Sequence, residues 1–139
     1  MSQYFNMGDE TVWNPSNGVS QLFMSQVDVF CGILGVPSGI SPMHSDECEI
    51  DPRDFKVFVD ALLNWNRRTK NVVATALSEG FVITALALAE RAGIEVNRPS
   101  IEAVPDDASQ PVRVYVVVEG FGQRATTLSK ASYELSRLM

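Results

Sequence analysis

Apolar positions recur at two different periods along this chain. Near the start, the apolar and aromatic residues of Gln3 to Met7 and of Thr11 to Trp13 flank the turn signal Gly8-Asp9-Glu10. That arrangement predicts a hairpin. Val19, Leu22, Phe23, Val27, Phe30 and Leu34 follow at helical spacing, which predicts an amphipathic helix to about Leu34. Asn14 and Pro15 read as its cap and first residue, with Gly35 and Pro37 as its stop. Residues 35–45 are a loop rich in Gly, Pro and Ser, and Asp46 to Ile50 reads as a short extended piece. Asp51 and Pro52 then open a second helix with the core stripe Phe55, Phe58, Val59 and Leu62, and Trp65 near its end.

From about Asn71 to Ala92 the pattern loses its polar face. A helix that is apolar nearly all round is central and covered on several sides, and Gly93 is the expected residue beyond its end. Pro99, Pro105 and Pro111 punctuate an irregular stretch with a loop tip at Asp106-Asp107. Val112 to Val118 is then the clearest strand, with Ile101 to Val104 as its hairpin partner. Gly120-Phe121-Gly122 breaks it, and a last helix from about Ala125 carries the stripe Leu128, Ala131, Leu135 and Leu138. These elements predict a single α+β domain over residues 1–139. It has about four helices around a central apolar helix, with a small antiparallel sheet.

Charge changes the picture more than composition does. The net charge is -6, and residues 1–52 hold seven acids and no Lys or Arg. A nucleic-acid binder needs bases to neutralise phosphates, so the balance speaks against one. Arg67, Arg68 and Lys70 read as cations complementing a helix C-terminus. The chain lacks a basic n-region and an apolar h-region, so no signal peptide is expected. The closest approach to a membrane span, Val72 to Ala89, is interrupted by Glu79 and Gly80 and reads as a core helix. Cys31 and Cys48, without an export signal, suggest reduced thiols and a cytoplasmic protein.

Candidate chemistry gathers around the single histidine. His44 precedes Asp46, Glu47, Cys48 and Glu49. One reading is a metal site, but no second His and no separated ligand pair exist, so no metal or cofactor is expected. Another is a Cys–His nucleophile, which the surrounding carboxylates oppose by raising the thiol pKa. The third is an acidic turn whose Asp51 caps the next helix. Asp46, Glu47, Glu49 and Asp51 also concentrate negative potential that can steer a basic partner. Glu79 stands within the most apolar helix. Facing a pocket it would be a general acid or base; on a solvated strip it would be inert. Glu79 and His44 are thus the candidate catalytic residues. Tyr4, Trp13 and Trp65 fall near element ends, where aromatics line pockets and interfaces. No phosphate-binding loop, nucleophile elbow, zinc-protease motif or paired-cysteine motif occurs.

The words Ser2-Gln3-Tyr4-Phe5, Trp13-Asn14-Pro15-Ser16-Asn17 and Asp46 to Asp51 resemble a small actinobacterial family of unknown function. The run Leu77-Ser78-Glu79-Gly80-Phe81 fits it too, and the likeness covers about residues 2–96. The resemblance implies a cytoplasmic, Streptomyces-like bacterial protein and brings no catalytic residues. Two functions are expected from the residues. One is a non-enzymatic binding or regulatory protein whose acidic first third meets a basic protein partner. The other is a small-molecule binder or acid/base enzyme of bacterial secondary metabolism, with a small apolar ligand in a cavity at Glu79. An apolar stripe exposed on the last helix would add a homodimer.

Overall fold

A computed structural model describes residues 1–97 and 128–139. Its elements run β1 (Tyr4–Met7), β2 (Glu10–Trp13), α1 (Asn17–Leu34), β3 (Glu47–Glu49), α2 (Pro52–Arg68) and α3 (Val72–Arg91). A fourth helix, α4, spans residues 128–138. The fold is α+β, as the pattern predicts. The expected strand at Val112 to Val118, its partner at Ile101 to Val104, the loop tip at Asp106-Asp107 and the break at Gly120-Phe121-Gly122 lie outside the described residues.

The predicted N-terminal hairpin forms, with Gly8 at φ 62° in its turn. The sheet differs from expectation in its pairing. β1 is central, β2 pairs with it antiparallel, and β3 pairs with it parallel, so the sheet is mixed. The reason lies in the chain path. α1 carries the chain back from the end of β2, and β3 then enters in the direction of β1. Tyr4 N–H donates to the Asp46 carbonyl and Ile50 N–H to that of Asn6, both at 2.8 Å.

α1 starts two residues later than Asn14-Pro15 predicts. The Pro15 carbonyl accepts Gln3 N–H at 2.9 Å, and Ser2 bridges Ser16. That pairing holds residues 15–16 extended, so Ser16 becomes the N-cap and Asn17 the first helical residue. The helix stops at Gly35, with φ 68°. Its core face is Ser20, Phe23, Val27 and Phe30, while Val19 and Leu22 of the predicted stripe face solvent.

α2 and α3 begin as their cap residues dictate. The Asp51 carboxylate accepts Arg53 and Asp54 N–H at 2.9 and 3.0 Å. Asn71 does the same for Val73 and Ala74. The expectation for α3 holds over half its length. Phe81 to Ala89 include seven buried residues in the middle of the core, but Val72, Val73 and Leu77 are exposed. By length and composition α3 could cross a membrane, yet its second half is core of this fold. On α4, Leu128, Ser132 and Ser136 are buried and Leu138 is exposed, which shifts its inner face from the predicted Leu stripe. The buried hydroxyls are satisfied within the helix, at the Ser129 and Tyr133 carbonyls. Arg91 ties three elements together. Its Nε donates to the Val12 carbonyl at 2.7 Å and its Nη1 to the Ser136 carbonyl at 3.0 Å.

The loop after α1 closes onto the start of α2 through Gly39. Its carbonyl accepts Asp51 N–H at 2.7 Å. Its φ is 73°, and a Cβ there would meet the Phe55 nitrogen at 2.5 Å and the Asp51 carbonyl oxygen at 2.9 Å. Gly39→Ala therefore combines a left-handed backbone penalty with a backbone clash, and should destabilise the fold by about 2–4 kcal/mol. Asp51→Ala should cost about 1 kcal/mol through the lost cap. Urea unfolding of each variant measures both; an unchanged midpoint for Gly39→Ala would mean that this loop does not pack on α2.

Candidate functional site

Strand alternation divides the acidic segment between two faces. In β3, Cys48 points into the core beside Phe5, while Glu47 and Glu49 point out. The register sets Tyr4 beside Glu47 and Asn6 beside Glu49 on that outer face. Thr11 extends the face, donating its hydroxyl to Asn6 Oδ1 at 2.8 Å. At the end of the sheet, Gln3 Nε2 donates to Asp46 Oδ1 at 3.2 Å. An exposed tyrosine thus shares a surface with the carboxylates Asp46, Glu47 and Glu49.

The turn that delivers this edge is built tightly. His44 and Glu47 exchange both backbone hydrogen bonds, at 2.8 and 3.0 Å. The two residues between them, Ser45 and Asp46, have φ of 51° and 65°, as a two-residue hairpin turn of the primed type requires. Beyond it, the free side of β3 is covered by its own chain. Ser41 N–H donates to the Glu49 carbonyl, and the Ser41 hydroxyl accepts Glu49 N–H, both at 2.9 Å. Covering an edge this way blocks strand addition by another chain, so a partner would meet side chains here rather than a sheet edge.

An open groove of about 510 Å³ lies between this segment and the start of α2. Its walls include Cys31, Gly39, Ser41, Glu49, Asp51 and Asp54. The Pro37-to-Ser41 wall was not singled out from sequence, where Pro-Ser-Gly reads only as loop. Its one signal was Gly39, the residue that lets the loop approach α2. Asp51 lines the groove with one carboxylate oxygen, Oδ1, engaged as the helix cap.

The other candidates separate. Glu79 is exposed on the first half of α3 and is not part of the groove wall. Trp13 is core, with its ring 5.0 Å from Phe5 and 5.3 Å from Phe23. Trp65 is half-buried against Phe30 at 5.3 Å. His44 is exposed, with Nδ1 3.2 Å from the Ser45 hydroxyl. Cys48 lies on the opposite face of β3 from Glu49, so the ligand set His44, Asp46, Cys48 and Glu49 is split by strand geometry. Among the described residues, no three His, Cys, Asp or Glu side chains form a group that could hold a metal ion.

Burial pushes the Cys48 thiol up to about 12, and the Glu49 carboxylate adds to the shift. A thiol so placed is protonated at neutral pH and is a poor nucleophile. A group with a raised folded pKa contributes its full stability below the unfolded value, here 9.0. That contribution is lost as pH rises toward about 12, because the unfolded thiol ionises first. The loss of stability between about pH 8 and about pH 10.5 should therefore be smaller in Cys48→Ala than in the natural chain. Denaturant unfolding of both at the two pH values measures this; equal losses would place the thiol in contact with water.

No curated protein and no solved structure matches the chain. One family profile does, that of the family of unknown function DUF6086, over residues 1–139. The match covers the C-terminal segment as well as residues 2–96, on which the sequence resemblance rests. This chain belongs to the family of unknown function DUF6086.

Proposed function

We propose that this chain is a non-enzymatic binding or accessory protein whose acidic outer face receives a basic protein surface. The observation that carries the reading is the β1–β3 register, which sets Tyr4 beside Glu47 with Glu49 and Asp46 close by. A tyrosine face flanked by carboxylates suits Arg or Lys. The ring attracts the cation by its quadrupole and the carboxylates add charge-assisted hydrogen bonds. Lys56 pairs with Asp60 at 3.1 Å, away from this face. The acidic edge thus keeps its potential for a partner, where it would act on encounter rate and specificity.

An acid/base enzyme built on Glu79 has less support, because that carboxylate is exposed and apart from the groove. The two free thiols suit a reducing cytoplasm, and the sequence words that resemble an actinobacterial family suit a bacterial host. Titration calorimetry with a synthetic arginine-rich peptide tests the reading. Binding should weaken by at least about tenfold when ionic strength rises from about 0.05 to about 0.3 M, as screening of exposed charges demands. Glu47→Lys with Glu49→Lys should abolish it. Equal binding by the charge-reversed protein, or no binding by the natural chain at low salt, would sink the proposal.

A further inference from the structure

We propose that α1, together with the first half of α3, is the interface of a homodimer in which a second copy of this chain is the occupant. Val19, Leu22, Val29 and Ile33 stand on one line of α1 and are 48, 64, 60 and 51 % exposed. Half-buried Gln26 completes the line at its middle. The steps are three, four, three and four residues, the repeat by which one helix seats against another. The helix already uses Ser20, Phe23, Val27 and Phe30 for its own core, so this line is a second apolar face.

The line is complementary to itself. Turned end for end about Gln26, Val19 of one copy falls opposite Ile33 of the other, Leu22 opposite Val29, and Gln26 opposite Gln26. A two-fold interface demands that property. A glutamine amide carries both donor and acceptor, so it pairs with its own copy without charge. Charge selects the same surface. The chain carries a net -6 and repels its copy wherever acids face each other. α1 has a single charged residue in eighteen, Asp28, which sits roughly 140° around the helix from the middle of the line. Gly18 and Gly32 border the line with Ser25 at seven-residue intervals. A Cβ at either glycine would meet nothing within 4 Å, so no contact among the described residues requires them, and a second backbone can approach closely there.

α3 enlarges the face. Phe23, early in α1, packs on Trp13 at the end of β2, and Arg91, ending α3, bonds Val12 of the same strand. Phe30, later in α1, stacks on Phe81 at 4.7 Å. The two helices therefore run in opposite directions, and Leu77, one turn before Phe81, comes toward the Ile33 end of the line. Val72, Val73 and Leu77 are 81, 65 and 78 % exposed. The seven side chains carry roughly 750 Å² of accessible surface per copy, against about 800 Å² per partner in a standard interface.

Sedimentation velocity on the full chain, from about 5 to about 200 µM, tests the proposal. The natural chain should approach twice 15.3 kDa. Leu22→Glu and Leu77→Glu should sediment at the single-chain mass with unchanged far-ultraviolet circular dichroism, since both side chains are exposed. As an independent check, Gln26→Cys in a Cys31→Ser background should form a disulfide-linked dimer on mild oxidation, while Asp28→Cys in that background should not. A natural chain that stays at 15.3 kDa throughout overturns the proposal, and co-flotation of that single chain with phosphatidylcholine vesicles would give the face to a lipid surface instead. So does a dimer that both glutamate variants leave intact.

Discussion

The fold turns on one ring. Phe81 lies within 4.7 Å of Phe30, 5.6 Å of Phe23 and 6.3 Å of Phe58, centroid to centroid. It thereby joins α3 to α1 and to α2 at a single buried point. The contacts continue outward, through Phe23 to Phe5 and Trp13 of the hairpin and through Phe30 to Trp65. Each aromatic pair is worth about 0.5–1.5 kcal/mol beyond the area it buries. The sheet is small, with strands of four, four and three residues, and it buries its apolar face in the shared core. The outer acidic face exists because the inner face, Phe5 and Cys48, is held against this aromatic column.

Much of this was legible in the residue order, and the exceptions share a cause. The cap Asp51 and the stops Gly35 and Gly93 act locally, through a side chain two or three residues away or a single left-handed φ, and Asn71, read only as the approximate start of its helix, caps it in the same way. Such signals survive without knowledge of the rest of the fold. What failed depended on distant partners. Pro15 left α1 because Gln3, twelve residues earlier, took its carbonyl. β3 became parallel to β1 because of the path the chain takes around α1. Half of α3 emerged from the core because hydrophobicity all round a helix carries no information about which end is covered.

The candidate site was legible in composition and not in geometry. The cluster of acids at 46–51 was evident, but alternation alone divides Cys48 from its acidic neighbours, and only the β1 register brings Tyr4 to Glu47. Trp13 and Trp65 end elements, a position that suggests a surface; both instead close the aromatic column, and Trp65 stays partly exposed. Glu79 has apolar neighbours in sequence, but the first half of α3 leaves it exposed.

The guanidinium of Arg91 has a kinetic consequence. Its two hydrogen bonds span 79 and 45 residues of chain. Local helices and the hairpin can form on their own within microseconds, but this clasp closes only after long loops have been ordered, and such contacts slow folding. The hairpin and the last helix should then be late, mutually dependent additions to an already assembled α1–α2–α3 core. In native-state hydrogen exchange, the two ends of the chain would open together as one cooperative unit.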